Sequence, residues 1–201
     1  MKLVVEGLSC SRGGRSLFQG LSFGLSRGQA ILVTGPNGAG KTSLLRLVAG
    51  LLVPTAGRIA LEGSDGTVGE ASHFVGHLDA VKGALTAGEN LVFGRALLGG
   101  GDASIELALE RFGIGALQDL PAQVFSAGQR RRLALARLLV APRPIWLLDE
   151  PTTALDTSGQ QMLARLMAEH RAGGGVIVAA THATLDLKDA RKISLPNGGA
   201  A

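Results

Sequence analysis

A glycine-rich stretch carries the clearest chemical signal in the sequence. It follows an apolar run at residues 30–34 and precedes a helical pattern at residues 43–49, and it reads Gly35-Pro36-Asn37-Gly38-Ala39-Gly40-Lys41-Thr42. In a strand–loop–helix context, G-x-x-x-x-G-K-[ST] is typical of a loop whose backbone N–H groups surround phosphates. The positive end of the following helix adds to that attraction. We therefore expect Lys41 to reach the β- and γ-phosphates of a nucleotide and the Thr42 hydroxyl to coordinate Mg²⁺.

Two carboxylates end a second apolar run, at Asp149 and Glu150. In open parallel sheets ligands bind at the carboxyl ends of the strands, where the glycine-rich loop also lies. The two features face one crevice if their strands are neighbours. Asp149 then suits Mg²⁺, and Glu150 suits a general base that polarises an attacking water. The alternative is a strand that ends in a solvated acidic turn.

A third feature is a helix start at Ser126, whose side chain is placed to cap the backbone N–H groups that follow. Such a helix start attracts anions. Arg130, Arg131 and Arg132 come directly afterwards, where the helix dipole makes a cation unfavourable by about 0.3–1 kcal/mol. The pattern leaves open whether solvent, an anion or acidic neighbours offset these charges.

Composition indicates one folded domain. Of the 201 residues, 46% are hydrophobic and 18% are charged, which excludes a disordered chain. The apolar runs are all shorter than the roughly 18 residues that span a bilayer. An acidic residue as early as Glu6 argues against a signal peptide, and a lone Cys10 fits a reducing compartment. We therefore expect a cytosolic protein.

The net charge of +4 favours an anionic partner. Proteins that bind single-stranded nucleic acid interleave aromatic with basic residues, and only 3% of this chain is aromatic. We therefore expect no nucleic-acid partner.

Hydrophobic periodicity and turn residues predict alternating strands and helices. The predicted strands cover residues 3–8, 21–25, 30–34, 57–63, 72–76, 145–149, 176–180 and 191–195. The predicted helices cover residues 43–49, 90–98, 104–111, 127–140 and 158–170. This order indicates an α/β nucleotide-binding lobe from residues 1–77 and 141–201, interrupted by a helical subdomain at about residues 78–140.

The motifs occur in a diagnostic order, which ends with Ala154-Leu155-Asp156 and with His182 after a predicted strand. The glycine-rich loop, residues 126–129, residues 147–150, Asp156 and His182 together resemble the Walker A, signature, Walker B, D-loop and H-loop motifs of the ATP-binding cassette (ABC) family. The resemblance covers essentially the whole chain. It implies a single P-loop NTPase domain of the α/β class, with a RecA-like, mostly parallel sheet, an antiparallel β subdomain and an inserted α-helical subdomain.

The same resemblance implies that the chain hydrolyses ATP as a head-to-tail dimer that encloses two ATP molecules. Each site would combine residues 35–42 and Ser43 of one copy with the signature motif of the other. That motif would contact the γ-phosphate through Ser126, Ala127, Gly128 and Gln129. Asp156 would lie at the dimer interface, and His182 would hold the γ-phosphate and the attacking water.

Two positions depart from the family pattern. The Mg²⁺-linked glutamine of the family is replaced by His77, which can accept a hydrogen bond from water, or bind a metal, only through an unprotonated nitrogen. The aromatic residue that stacks on adenine is replaced by Arg12, whose guanidinium can also stack on a base. Each has a plainer interpretation, His77 as a spacer and Arg12 as a solvated loop residue.

These two departures narrow the family. Together with the short chain, Lys82-Gly83 and residues 85–91, they make the sequence resemble the ATP-binding subunits of cytochrome c maturation exporters. That resemblance implies a peripheral subunit on the cytoplasmic face of a bacterial inner membrane. A separate integral permease would be its partner, and its role would be haem export or release of a haem chaperone. Two alternatives remain: a cassette for another exported substrate, or a soluble cassette in DNA repair or translation. The absence of heptads and of a second cassette disfavours the soluble class.

Overall fold

The chain forms a parallel and an antiparallel sheet with five α-helices among residues 1–182 and 185–196, the part that a computed structural model describes. The strands are β1 (Lys2–Arg12), β2 (Arg15–Ser26), β3 (Ala30–Thr34), β4 (Ala56–Glu62), β5 (Ser72–Val75), β6 (Ile145–Asp149), β7 (Val176–Ala180) and β8 (Arg191–Ser194). The helices are α1 (Lys41–Val48), α2 (Ala87–Leu97), α3 (Ile105–Arg111), α4 (Ala127–Val140) and α5 (Thr157–Ala172), with short 3₁₀ turns at Gly115–Leu117 and Ala122–Val124.

The larger sheet has five parallel strands in the order β5-β6-β7-β3-β8. Every residue of β6 and β7 is buried, because helices or the second sheet cover both faces. This explains why these strands are uniformly apolar rather than alternating. The antiparallel sheet has the order β2-β1-β4. The predicted α/β class with a mostly parallel sheet and an antiparallel unit is therefore confirmed.

Two hydrophobic cores lie on opposite faces of the parallel sheet. Ile177 and Ala179 of β7 pack with α2 to α5, while Val176 and Val178 pack with α1, β1 and β2. Alternate side chains of one strand thus bury into different cores, as the two-residue period of a strand requires. Among residues 78–140, all of which are described, the regular elements are α2, α3, α4 and the 3₁₀ turns. The division into lobes stays a prediction.

The β1–β2 hairpin extends well beyond its predicted bounds. β1 continues to Arg12 and β2 begins at Arg15, with β-bulges between Val5 and Ser11. Sequence patterning missed these ends because their polar side chains are exposed and the bulges interrupt the alternation. By contrast, the bounds predicted for β3, α4, β6 and β7 agree with the structure.

The parallel sheet brings four loops to one edge. Residues 35–40 follow β3, His77 follows β5, Glu150 follows β6 and His182 follows β7, each at a carboxyl end. The condition that β3 and β6 be neighbours is not met, because β7 lies between them. The loops after β3 and β6 still face one cleft, because α1 packs on both β6 and β7 and the loop after β7 lies between them.

In the described part of the chain, no helix combines the length and the apolar character that crossing a bilayer would require.

Candidate nucleotide-binding site

The glycine-rich loop wraps back onto itself between β3 and α1. Gly35 and Gly40 have φ angles of 140° and 97°, in the region that side chains disfavour. A Cβ atom on Gly35 would lie 2.6 Å from the Leu195 carbonyl oxygen, so no larger residue fits there. The Lys41 ammonium, nearly buried, donates to the carbonyls of Gly35 at 2.8 Å and Pro36 at 3.1 Å. Its charge is therefore held directly over the loop.

Thr42 and Asp149 meet across the sheet edge. The Thr42 hydroxyl donates to Asp149 Oδ2 at 2.8 Å. Burial raises the pKa of Asp149, and the Thr42 hydrogen bond opposes that rise by stabilising the carboxylate. Mg²⁺ prefers oxygen ligands and takes few of them from protein, with phosphates and water supplying the rest. A hydroxyl and a carboxylate 2.8 Å apart fit such an ion.

Glu150 is held from two sides by residues that follow β7. Thr181 donates its hydroxyl to Glu150 Oε2 at 2.9 Å, and His182 Nδ1 lies 2.8 Å from Oε1. A carboxylate can only accept a hydrogen bond, so Nδ1 carries the hydrogen and a neutral ring keeps Nε2 as an acceptor. The Glu150 side chain is mostly buried, while that of His182 is 67% exposed. The pair is therefore fixed at the carboxylate and open at the imidazole.

These groups surround one cleft of about 360 Å³. Its lining consists of Leu17, Asn37, Gly38, Gly40, Lys41, Thr42, Ser43, His77, Asp149, Glu150 and His182. The structure thus brings together the loop, the acidic pair and both histidines selected from the sequence. A cation and a buried carboxylate in one open cleft provide for binding a phosphate group together with a metal ion.

Other residues selected from the sequence lie away from this lining. Arg12 is exposed at the end of β1. Ser126 is exposed and caps α4 through a capping box, in which its hydroxyl accepts from Gln129 N at 3.2 Å. Asp156 caps α5 by accepting from Gly159 N at 2.9 Å. Within a single copy, these residues are not assembled with the phosphate loop.

Intramolecular acceptors offset the arginines at the start of α4. Arg130 donates to the Phe125 carbonyl at 2.5 Å, and Arg132 donates to Asp156 Oδ1 at 2.6 Å. Arg131 is 2% exposed. The interpretation of a solvated basic helix end is therefore wrong, because acidic neighbours and backbone carbonyls satisfy these side chains.

Sequence reasoning missed two residues near the site. Leu17 of β2 lines the cleft. A Cβ atom on Gly40 would lie 3.1 Å from the Leu17 Cβ atom. Arg131 contacts the turn that holds Glu150. The partners of Leu17 depend on strand packing, which no motif spacing encodes. For Arg131 the signal was an arginine at a helix end that disfavours cations.

The fold and the cleft together define a P-loop nucleotide-binding protein, and comparison with known proteins places it in a family. A family model described as "ABC transporter" matches residues 18–153. The ATP-binding subunit of an ABC transporter of known structure superposes with a TM-score of 0.86 at 24% identity, covering 98% of this chain and 87% of that one. At that identity the likeness shows the fold alone. The chain belongs to the ABC transporter family and is one of its ATP-binding ATPase domains.

Two relatives share about half of their residues with this chain. The chain is 54% identical to the cytochrome c biogenesis ATP-binding export protein CcmA of Nitrobacter winogradskyi, over 100% of both chains. It is also 54% identical to the protein of the same name from Rhodopseudomonas palustris, over 93% of this chain and 94% of that one.

Proposed function

We propose that this chain is the ATP-hydrolysing subunit of a transporter that serves c-type cytochrome biogenesis, through haem export or release of a haem chaperone. The observation that carries the ATPase part is the cleft, where Lys41, Asp149, Glu150 and His182 converge. The biogenesis part rests on similarity to relatives that are named for that process.

The geometry supports distinct roles in hydrolysis. Glu150 is the general base for the attacking water, because its carboxylate lies in the cleft and is fixed by Thr181. His182 contacts the γ-phosphate through the open side of its ring. Lys41 and the backbone N–H groups of residues 35–43 stabilise the phosphate charge. Arg12 is the candidate contact for the adenine ring of ATP.

Mg²⁺ is the metal that the donor set fits best. Thr42 and Asp149 supply hydroxyl and carboxylate oxygens, and His77 lines the same cleft. Among the described residues, no group of three or more His, Cys, Asp or Glu side chains is close enough to hold a metal alone. This agrees with an ion that arrives with the nucleotide and takes most of its ligands from phosphate and water. Such an ion would neutralise phosphate charge during transfer.

A second copy of the chain completes the site. Ser126, Ala127 and Asp156 are exposed, Gly128 and Gln129 are half-buried, and all five lie outside the cleft of their own copy. The positive end of the α4 helix dipole lies at this N-terminus and suits a phosphate from a partner. We propose that this end faces the γ-phosphate bound by the other copy.

A separate groove suits a membrane permease. It holds about 300 Å³ between β5 and the helices α2 and α4, and Phe74, Val81, Phe93 and Leu97 line it. Leu51, Phe93 and Leu97 in its lining are 60%, 46% and 71% exposed, and such a cluster of exposed apolar side chains marks an interaction site. We propose that a helix of an integral permease docks here and holds the chain on the cytoplasmic face of a bacterial inner membrane.

The decisive experiment is Glu150→Gln in the presence of ATP and Mg²⁺. Loss of the base stops hydrolysis, so a dimer with two trapped ATP molecules accumulates. Phosphate release and the mass of the eluted species in size-exclusion chromatography measure both effects. The exposed Glu110→Gln on α3 is the matched control and keeps activity. A monomer that hydrolyses ATP at the normal rate would contradict the assignment.

A further inference from the structure

Arg131 is a buried arginine in the first half of α4 that grips the turn behind the catalytic carboxylate. Its side chain is 3% exposed. Nη2 donates to the carbonyls of Asp149 at 3.0 Å and Glu150 at 2.8 Å, and Nε donates to that of Pro151 at 3.3 Å. Three successive carbonyls of one turn therefore point at a single guanidinium.

The remaining nitrogen of Arg131 holds the loop that carries His77. Nη1 donates to the Gly76 carbonyl at 2.8 Å and to Asp79 Oδ1 at 3.1 Å. Further along α4, Arg137 donates to the Asp79 carbonyl at 2.8 Å. A guanidinium has five N–H donors in a rigid planar fork, and all five of Arg131 have acceptors. α4 is thus tied to both segments that bring His77 and Glu150 to the cleft.

The turn at Glu150 needs such a tie. Its φ angle is 47°, a left-handed conformation that a residue with a side chain rarely adopts. Conformations of this kind persist only where surrounding contacts enforce them. The backbone N–H of Glu150 donates to the Ala180 carbonyl at 2.8 Å, so Arg131 and β7 hold the turn from opposite ends.

We propose that Arg131 is a positioning residue for hydrolysis, one that holds Glu150 and His77 in register with the helix that begins at residue 127. The proposal rests on the assignment of Glu150 as the base. Arg131 does not line the cleft, so its effect on the reaction is exerted through the geometry of the turn. Lysine cannot replace it, because an ammonium has three donors on one atom and cannot reach acceptors spread over two loops.

The test is Arg131→Lys in the full chain, with steady-state ATP hydrolysis and equilibrium binding of a fluorescent ATP analogue. We expect kcat to fall by about ten- to a hundredfold, the loss that a misplaced catalytic group produces. KM and analogue affinity should stay within about twofold, because the phosphate loop does not contact Arg131. Arg165→Lys, exposed on α5, is the matched control and should leave both parameters unchanged.

A second variant covers the case in which Arg131→Lys does not fold. Asp79→Asn weakens one of the five contacts of Arg131 and leaves its four carbonyl contacts in place. It should lower kcat by about two- to fivefold without changing KM, because a shifted Glu150 impairs transition-state stabilisation and leaves nucleotide binding intact.

Three outcomes separate the possibilities. If folded Arg131→Lys protein keeps the wild-type kcat while Glu150→Gln abolishes hydrolysis, the proposal for Arg131 is wrong and the assignment of Glu150 stands. Loss of kcat together with an equal loss of analogue affinity would also overturn the proposal for Arg131, because that pattern marks general disruption of the site. Wild-type protein without ATP hydrolysis would instead overturn the function on which the proposal rests.

Discussion

At the scale of single residues, burial shifts the pKa values of Asp149 and His73 in the direction that favours their neutral forms. Burial raises the pKa of Asp149, and hydrogen bonding by Thr42 opposes it. Burial lowers the pKa of His73 to about 4, and the positive charge of Arg137 adds to the shift. His73 is 3% exposed on β5, and its Nδ1 has no hydrogen-bond partner among the described residues. A charged imidazole is therefore unfavourable in the folded chain.

The His73 shift predicts how stability depends on pH. The folded protein has its full stability with respect to His73 above pH 6.5, the pKa of the unfolded state, where the imidazole is neutral in both states. That stability is lost as the pH falls toward about 4, because the unfolded state takes up the proton first. The expected loss in unfolding free energy is about 3 kcal/mol, since one pKa unit corresponds to about 1.4 kcal/mol. Urea unfolding at pH 7.5, 5.5 and 4.5 measures it. Glutamine carries no titratable group, so His73→Gln should remove about 3 kcal/mol of the pH dependence of the unfolding free energy.

His170 also has a pKa lowered by burial, so some acid sensitivity will remain in His73→Gln. The difference between the two profiles isolates His73, because His170 is present in both proteins. Identical profiles would show that His73 is not buried in the neutral form.

At the scale of elements, serine side chains cap the starts of α3 and α4. Ser126 caps α4 through a reciprocal capping box with Gln129, and Ser104 caps α3 through a hydrogen bond from Leu107 N at 3.0 Å. Both serines satisfy otherwise unpaired N–H groups. Only Ser126 belongs to the motif that we propose to contact ATP in the second copy. The two caps therefore form a natural pair for comparison.

Ser126→Ala and Ser104→Ala should each lower the unfolding free energy by about 1 kcal/mol, the usual value of a serine cap. Only Ser126→Ala should also weaken ATP-driven dimerisation, measured in the Glu150→Gln background by size-exclusion chromatography with light scattering. Equal dimerisation in both variants would restrict Ser126 to a capping role.

At the scale of the whole molecule, the apolar groove and the nucleotide cleft are linked by one short loop. His77 lines the cleft, while Ala80 and Val81 line the groove. The loop between them is fastened to α4 by the contacts of Arg131 and Arg137 with Asp79. We propose this connection as the physical route between a docked permease and the nucleotide cleft.

Leu97→Asp should release the chain from the bacterial membrane fraction and leave its ATPase activity in solution unchanged. A buried carboxylate in the docked groove would be strongly unfavourable. Leu107→Asp is the matched control, because Leu107 is 56% exposed on α3 and does not line the groove. Membrane sedimentation and phosphate release measure the two effects. If both variants remain membrane-bound, the permease docks elsewhere.

The sequence alone determined the phosphate loop, the acidic strand end, the capped start of α4 and the bounds of β3, α4, β6 and β7. These features are local, because loop geometry, helix capping and buried-strand patterning depend on residues close together in the chain. The family resemblance also reached His77 and His182, whose roles no local pattern would have assigned.

Only the tertiary structure decided which distant groups meet. It placed β7 between β3 and β6, joined Thr42 to Asp149, and fixed Glu150 between His182 and the turn held by Arg131. Strand order and side-chain partners depend on long-range packing, which motif spacing does not record. Arg131 shows the consequence, because the sequence left its partners open and the fold buries it against the turn at Glu150.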